Sequence, residues 1–157
     1  MRREYINYAN DLPIKVSYCN IKNYPIHWHN SIEIIYILRG YLDITIDTDR
    51  FRLNEKEVEI INVDEAHSFH SNEDNKVLIF NIDPTFFEKY YKDINNIFFY
   101  TNSNDDEDQN GEEYDLLKTI LSQILCEYVQ KLDDYDEEIE ENLIELLFHL
   151  VNNGHYL

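Results

Sequence analysis

The sequence predicts a mainly β fold, a barrel or sandwich of short strands followed by a pair of α-helices. Residues 14 to 82 contain short runs rich in β-branched residues, separated by turn signals, which is typical of all-β sandwiches and barrels. Residues 114 to 151 instead repeat apolar residues at helical spacing. A chain of 157 residues is long enough for one domain, or for one domain with a small helical appendage.

The strands follow one another at short intervals. They are predicted at residues 14–21, 26–29, 32–38, 42–46, 51–53, 58–63, from 67 onward, and 76–82. Alternation of Leu42, Ile44 and Ile46 with polar residues indicates a half-buried strand, whereas the continuous apolar run 32–38 favours a strand buried on both faces. Gly40 can take a positive φ without steric cost, so we expect a turn at residues 39–40.

The pattern changes after the β region. Asp83 and Pro84 predict the cap and first residue of a short helix over residues 85–91, and residues 97–100 predict one last strand. Residues 101–113 are polar and acidic and contain no aromatic residue, as expected of a linker. Two amphipathic helices follow, the second over about residues 136–151. We therefore divide the chain into a barrel (residues 1–100), a linker (101–113) and a helical segment (114–157).

The charge excludes one class of function for this chain. Its net charge of −19 repels the phosphate backbone, so we expect that it does not bind nucleic acid itself. Residues 105–141 hold 15 acidic residues against Lys118 and Lys131, which is typical of a solvated helical face. Cys19 and Cys126 are far apart and are expected to be reduced thiols. No signal peptide or membrane-spanning run is visible, so we expect a cytoplasmic protein.

A candidate site is formed by His27, His29 and Glu33, together with the distant His67. The first three have the same parity, so their side chains can converge on one interior position. Imidazole and carboxylate groups with vacant coordination positions suit Fe, Mn, Ni, Cu or Zn rather than Ca or Mg. Alternatively, these residues have a structural role and bind no ligand. In that case His27 is a hydrogen-bonded core residue, and Glu33 pairs with Arg39 or Arg52.

The spacing H-x-H-x3-E-x6-G over residues 27–40, followed by His67, resembles the cupin motifs. The flanking sequence, residues 34–40 and 59–62, resembles the sensor domain of AraC-type transcription regulators. The resemblance implies a cupin-like jelly-roll barrel with His27, His29, Glu33 and His67 in its mouth. There they would bind a small-molecule effector, such as a sugar, with or without a divalent transition metal. The second motif departs from the family pattern, since Lys56 or Glu57 replaces a glycine and Val63 replaces a proline.

The resemblance also implies a homodimer that binds DNA only through a C-terminal domain, which this chain does not contain, and it implies no membrane partner. The predicted dimer surface is the apolar stripe of the first long helix: Leu117, Ile120, Leu121, Ile124, Leu125 and Tyr128. Alternatively, both apolar stripes pack within one chain as a helical lid.

We expect no enzymatic activity. The alternatives are a stand-alone metal-dependent cupin enzyme, an isomerase or dioxygenase, and a carbohydrate-binding or storage cupin.

Overall fold

The structure, a computed structural model, describes residues 1–99 and 112–152. The strands are β1 (Arg2–Arg3), β2 (Ile14–Cys19), β3 (Asn23–Trp28), β4 (Ile32–Arg39), β5 (Leu42–Ile46), β6 (Asp49–Leu53), β7 (Val58–Ile61), β8 (His67–His70) and β9 (Lys76–Ile82). The helices are α1 (Pro84–Glu88), α2 (Glu112–Gln130) and α3 (Tyr135–Asn152), with a 3-10 turn at Ile94–Asn96. The predicted mainly β fold followed by a pair of helices is confirmed.

Within the described residues the strands form two facing sheets. The five-stranded sheet has the order β1-β3-β8-β5-β6, and the four-stranded sheet has the order β2-β9-β4-β7. All pairs are antiparallel except β1 with β3. One apolar cluster contains residues of both sheets and therefore lies between them; its members include Ile35, Ile37, Ile44, Phe69 and Val77. This cluster is the interior of the barrel.

The four-stranded sheet is buried on both faces. Odd-numbered residues of β4, such as Ile35, face the barrel interior, whereas Ile32 and Ile34 belong to a second apolar cluster shared with α1, α2 and α3. The helices therefore cover the outer face of this sheet. This packing explains why β4 is apolar at almost every position and confirms the prediction of a strand buried on both faces.

The two long helices pack on each other and on that sheet. Their buried side chains are Tyr114, Leu117, Ile120, Leu121, Ile124, Ile139, Leu143, Leu146, Leu147 and Leu150. Asp136, Glu137 and Glu138 lie in the first turn of α3, where the helix dipole favours negative charge. Within the described ranges, no helix has the length and apolar character needed to cross a membrane.

Several predicted boundaries need correction. The predicted strand at 97–100 is wrong, because Ile97 and Phe98 are not in a strand and Phe99 forms only an isolated bridge; Tyr100 lies outside the described residues. The short helix is capped by Asp83 as predicted but ends at Glu88 rather than at residue 91. Strand β1 was not predicted. The linker 101–113 falls mostly outside the described residues.

Gly40 connects β4 to β5 in the left-handed region, with φ of +82°. A Cβ at this position would lie 2.8 Å from the carbonyl oxygen of Asp74. We expect Gly40→Ala to lower the free energy of unfolding by about 1–3 kcal/mol, through backbone strain and this clash. Urea denaturation can measure the change.

The matched control is Asp47→Gly, at another turn with positive φ (53°). Glycine takes this conformation without strain, so we expect a change within about 0.5 kcal/mol. Equal effects of the two substitutions would contradict this account of the Gly40 turn.

Candidate functional site

The structure brings the predicted site residues together at one end of the barrel. His27, His29, Glu33 and His67 have relative accessibilities of 2%, 1%, 3% and 0%. The ring centroids of His27 and His67 lie 4.1 Å apart, and those of His29 and His67 lie 4.9 Å apart. The four side chains therefore form one buried cluster, here called the histidine cluster.

The cluster is assembled from both sheets. His27 pairs with His67 across β3 and β8 of the five-stranded sheet, and Glu33 pairs with Asn81 across β4 and β9 of the other sheet. The prediction that His29 lies in the same strand as His27 needs correction, since β3 ends at Trp28. His29 is the first residue of the link that carries the chain from one sheet to the other.

A β-bulge shapes the approach of His27. The β3–β8 register shifts between Tyr24 and His27, at a position where β3 contains Pro25. Proline cannot donate to the ladder and is found at such irregularities. The bulge brings the carbonyl of Pro25 to 2.9 Å from Nδ1 of His27, so this ring is held by its own strand.

Each imidazole is held through Nδ1 by a residue two positions away in sequence. His27 Nδ1 contacts the carbonyl of Pro25 at 2.9 Å, and His67 Nδ1 contacts the carbonyl of Glu65 at 2.7 Å. His29 Nδ1 contacts the Ser31 hydroxyl at 2.9 Å. Such a contact on one ring nitrogen fixes the orientation of the ring and leaves Nε2 to face the cluster, as is typical of metal-binding histidines.

The carboxylate of Glu33 lies between two of the rings and the Asn81 amide. Its Oε1 is 3.1 Å from His29 Nε2 and accepts a hydrogen bond from Asn81 Nδ2 at 2.9 Å. Its Oε2 lies 3.4 Å from His67 Nε2. The same Asn81 amide donates to Ser31 Oγ at 3.1 Å, so Ser31, His29, Glu33 and Asn81 form a closed network.

The electrostatics follow from burial and from this pairing. Burial lowers the pKa of His27, and the neighbouring His67 lowers it further. Burial alone would lower the pKa of His29, but its hydrogen bond to Glu33 and the charge of that carboxylate raise it. Burial alone would raise the pKa of Glu33, but the contacts with His29 and His67 hold it far below the ordinary carboxyl value. Glu33 is therefore an ionised buried group.

The cluster fits a divalent transition metal. Among the described residues, His27, His29 and His67 each offer a ligand atom, and these atoms all lie within 4.8 Å of one another. Glu33 Oε2 and His67 Nε2 are buried 3.4 Å from each other, and neither has a hydrogen-bond partner of normal geometry in the described part of the chain, which is costly for polar atoms. Both unsatisfied atoms are of the kinds that coordinate Zn, Fe or Mn, and both point into the cluster.

The outer side of the cluster is closed by the N-terminal segment. Tyr24 packs its ring 4.3 Å from that of His27, and its hydroxyl hydrogen-bonds to the carboxylate of Glu4. The backbone of Glu4 continues the β1–β3 pairing through a bond to the carbonyl of Trp28. A cavity of about 790 Å³ lies elsewhere, along α2 and α3.

Sequence reasoning missed Ser31 and Asn81. Ser31 shares the parity of His29 and Glu33, and Asn81 is an amide inside an apolar strand, where asparagine is depleted. Both patterns were visible in the sequence. What could not be read from it was the β4–β9 register, which places Asn81 directly opposite Glu33.

Other predicted residues lie outside the cluster. Glu33 pairs with neither arginine named above, since Arg52 instead forms an ion pair with Asp43 at 2.8 Å. His70, three residues after His67, is exposed. Of the predicted dimer stripe, Leu117, Ile120, Leu121 and Ile124 are buried within the chain, whereas Leu125 and Tyr128 are half-buried. The first four therefore offer no free surface to a second subunit.

A family model described as the AraC-like ligand-binding domain matches residues 20–147. The chain belongs to this family. The match extends from β3 through most of α3 and thus includes the whole histidine cluster. Among curated proteins, none matches the chain in sequence. The family assignment makes this a cupin-type ligand-binding domain.

Solved structures with a similar fold include several cupins. The cupin domain of Cnp3 from Schizosaccharomyces pombe is 16% identical, with a TM-score of 0.47 over 54% of this chain and 62% of that one. A cupin superfamily protein from Desulfitobacterium hafniense is 17% identical, with a TM-score of 0.43 over 48% and 71%. A mutant oxalate decarboxylase from Bacillus subtilis is 18% identical, with a TM-score of 0.43 over 46% and 22%. The chain thus covers less than two thirds of the length of the Cnp3 cupin domain and of the oxalate decarboxylase.

The His29–Glu33 pair predicts a pH-dependent contribution to the free energy of unfolding. This contribution can be measured in the presence of a metal chelator. Because folding lowers the pKa of Glu33, the carboxylate's contribution is present above about pH 4.3 and is lost as the pH falls. Because folding raises the pKa of His29, the imidazolium's contribution is present below about pH 6.5 and is lost as the pH rises through the folded value. We expect Glu33→Gln to destabilise most between about pH 4.5 and 6.5.

The control is Glu145→Gln, the same change at an exposed residue of α3. Urea denaturation of both variants and of the wild type across this range gives the difference in free energy of unfolding. A difference for Glu33→Gln that does not vary with pH would contradict the ion pair.

Proposed function

We propose that this chain is the effector-sensing and dimerisation domain of a bacterial AraC-type transcription regulator, acting in the cytoplasm. In this proposal the histidine cluster binds the effector, and a segment outside this chain contacts DNA. The observation that supports it most is the burial of four convergent polar side chains, two with unsatisfied atoms, inside a domain of a ligand-binding family. The net charge of −19 also favours DNA contact through another segment.

A divalent transition metal fits the cluster and would be held by Nε2 of His27, His29 and His67 together with Glu33. When bound, such an ion supplies a Lewis-acid centre for an oxygen or nitrogen atom of the effector. The chain's own residues orient the three rings, exclude bulk water and supply the carboxylate. A small polar effector, such as a sugar or another hydroxylated molecule, suits this chemistry.

One observation favours a second candidate. Three histidines and one glutamate around one position are also the donor set expected of a stand-alone metal-dependent cupin enzyme, an isomerase or a dioxygenase. Packing of α2 and α3 on the outer face of the four-stranded sheet is an addition that such chemistry does not need. We therefore place the regulatory function first.

Dimerisation is proposed through the C-terminal half of α2. Leu125 and Tyr128 are half-buried, and the neighbouring Val129 and Leu132 are 67% and 62% exposed. Leu125, Tyr128 and Val129 lie in the last turns of α2, which ends at Gln130, and Leu132 follows it. A second copy of the chain would cover these residues in a two-fold arrangement, since the same patch then faces itself.

Metal binding to the cluster can be tested by thermal shift and by isothermal titration with Zn²⁺ or Mn²⁺. We expect a clear rise in melting temperature for wild type, and none for the His29→Ala, His67→Ala double variant, which removes two donors. His70→Ala is the matched control, because His70 is exposed and outside the cluster. An equal shift in the double variant and in the wild type would place the metal elsewhere.

Sedimentation of the wild type at tens of micromolar should show a dimer. We expect the Val129→Asp, Leu132→Asp double variant to weaken it by more than about tenfold, because charge would be buried in the contact. Leu116→Asp, at an exposed position in the first half of α2, should leave the dimer unchanged. A monomeric wild type would refute dimerisation, and a dimer weakened only by Leu116→Asp would move the contact to the other end of α2.

A further inference from the structure

The three histidines of the cluster differ in the chemistry of the atom that holds Nδ1. The partners of His27 and His67 are the carbonyl oxygens of Pro25 and Glu65, and a carbonyl only accepts hydrogen bonds. The proton of each neutral ring is therefore on Nδ1. For His67 the deciding contact is the shorter one, because the Glu65 carbonyl lies 2.7 Å from Nδ1 whereas Glu33 Oε2 lies 3.4 Å from Nε2. The lone pair on Nε2 then faces the cluster. These two rings are in the tautomer that a metal requires.

His29 is held differently, because its partner at Nδ1 is the hydroxyl of Ser31, which can donate or accept. The other nitrogen, Nε2, faces Oε1 of Glu33 at 3.1 Å. An ionised carboxylate only accepts, so the proton of the neutral His29 ring is on Nε2. Nδ1 is then an acceptor, and Ser31 must donate to it. Of the three rings, His29 is the one in the wrong tautomer to ligate through Nε2.

Asn81 anchors the Ser31 hydroxyl and leaves it able either to donate to His29 or to accept from it. Its amide nitrogen donates to Ser31 Oγ at 3.1 Å and to Glu33 Oε1 at 2.9 Å. The first bond uses one lone pair of the hydroxyl oxygen and leaves the other lone pair and the hydroxyl proton available. Ser31 and Asn81 are 0% and 4% exposed, so bulk water does not compete for these bonds.

Ligation through Nε2 of His29 would require Nε2 to release its proton to water and Nδ1 to take up one proton from water, with no net change, so the ring stays neutral. Nδ1 then becomes a donor, and the hydroxyl of Ser31 must accept with its second lone pair. The hydroxyl proton of Ser31 then turns away from the His29 ring. Burial raises the pKa of Tyr8, and an interaction with Ser31 opposes this rise. The Tyr8 hydroxyl is buried and has no hydrogen-bond partner of normal geometry among the described residues, so we assign it as the new acceptor.

We propose that Ser31, anchored by Asn81, is a positioning residue that reverses its hydrogen bond with His29 when a metal binds. Ser31 donates to Nδ1 in the observed arrangement and accepts from Nδ1 when Nε2 is a ligand. His27 and His67 are preformed ligands, and His29 is recruited by a change of tautomer that rotation of the Ser31 hydroxyl accommodates. This inference rests on the proposed binding of a metal at the cluster.

The first measurement needs no metal. Long-range ¹H–¹⁵N NMR of the imidazoles in chelated wild-type protein reports which nitrogen carries the proton, at a pH where the ¹⁵N shifts show neutral rings. We expect protons on Nδ1 of His27 and His67 but on Nε2 of His29. After saturation with Zn²⁺, we expect the His29 proton on Nδ1. A proton on Nδ1 of His29 in the chelated protein would overturn the proposal.

The second measurement uses three variants and the Zn²⁺ affinity from isothermal titration. Ser31→Ala should weaken binding by roughly 10–100-fold, because the Nδ1 proton of the ligating ring then has no acceptor. Ser31→Thr retains the hydroxyl and should restore affinity to within about threefold. Ser68→Ala removes a half-buried hydroxyl next to His67 and should leave affinity unchanged.

The outcomes separate this inference from the proposed function. If wild type binds Zn²⁺ and Ser31→Ala binds it equally well, the positioning role is refuted and the metal site stands. If wild type binds no metal, the metal site is refuted and the reversal with it. A loss in Ser31→Ala that Ser31→Thr does not recover points to a packing defect and also overturns the proposal.

Discussion

The ionised carboxylate of Glu33 lies inside the barrel, at a position of β4 where an isoleucine would be expected. A buried charge costs several kcal/mol unless it is paired and hydrogen-bonded. Glu33 meets this condition through His29 on the link from β3 and through Asn81 on β9, with His67 facing its second oxygen. These three residues come from distant parts of the chain. The carboxylate is compensated only if the two sheets close in one register, so it favours a unique arrangement of the barrel.

The same strand explains why the polar groups gather at one end. Beyond Glu33, the interior-facing residues of β4 are Ile35 and Ile37, which pack in the apolar cluster between the sheets. Its outer-facing residues pack against the helices. The histidine cluster lies towards the start of β4, where β3 and β8 contribute a second pair of polar residues in register. The rest of the interior also holds a buried carboxyl group, since Glu59 of β7 pairs with Ile35 of β4.

Much of the fold could be predicted from the sequence, because the local pattern of apolar and polar residues shows which side chains share a face. Three elements could be predicted from neighbouring residues alone. These are β5 from its alternation of apolar and polar residues, β4 from its apolar run, and α1 from its Asp83 cap. Parity predicted that His27, His29 and Glu33 converge, and they do, although His29 lies on the link after β3 and not on that strand. Pairing between distant strands is not encoded locally, and neither the Asn81–Glu33 contact nor the bulge at Pro25 could be predicted. For the same reason the apolar stripe of α2 was read as surface, although the outer face of the sheet buries most of it.

The helices and the histidine cluster share two strands. In β4, Glu33 faces the cluster while Ile32 and Ile34 pack in the helical core, and in β9 Asn81 lies between Phe80 and Ile82, which pack in the same core. A change in the position of Glu33 or Asn81 therefore moves backbone whose adjacent side chains contact α2 and α3 directly. Closely packed side chains transmit such displacements, because they leave few voids in which to absorb them. The histidine cluster and the packed helices thus lie on opposite faces of the same strands, which is the arrangement that the proposed sensing function needs.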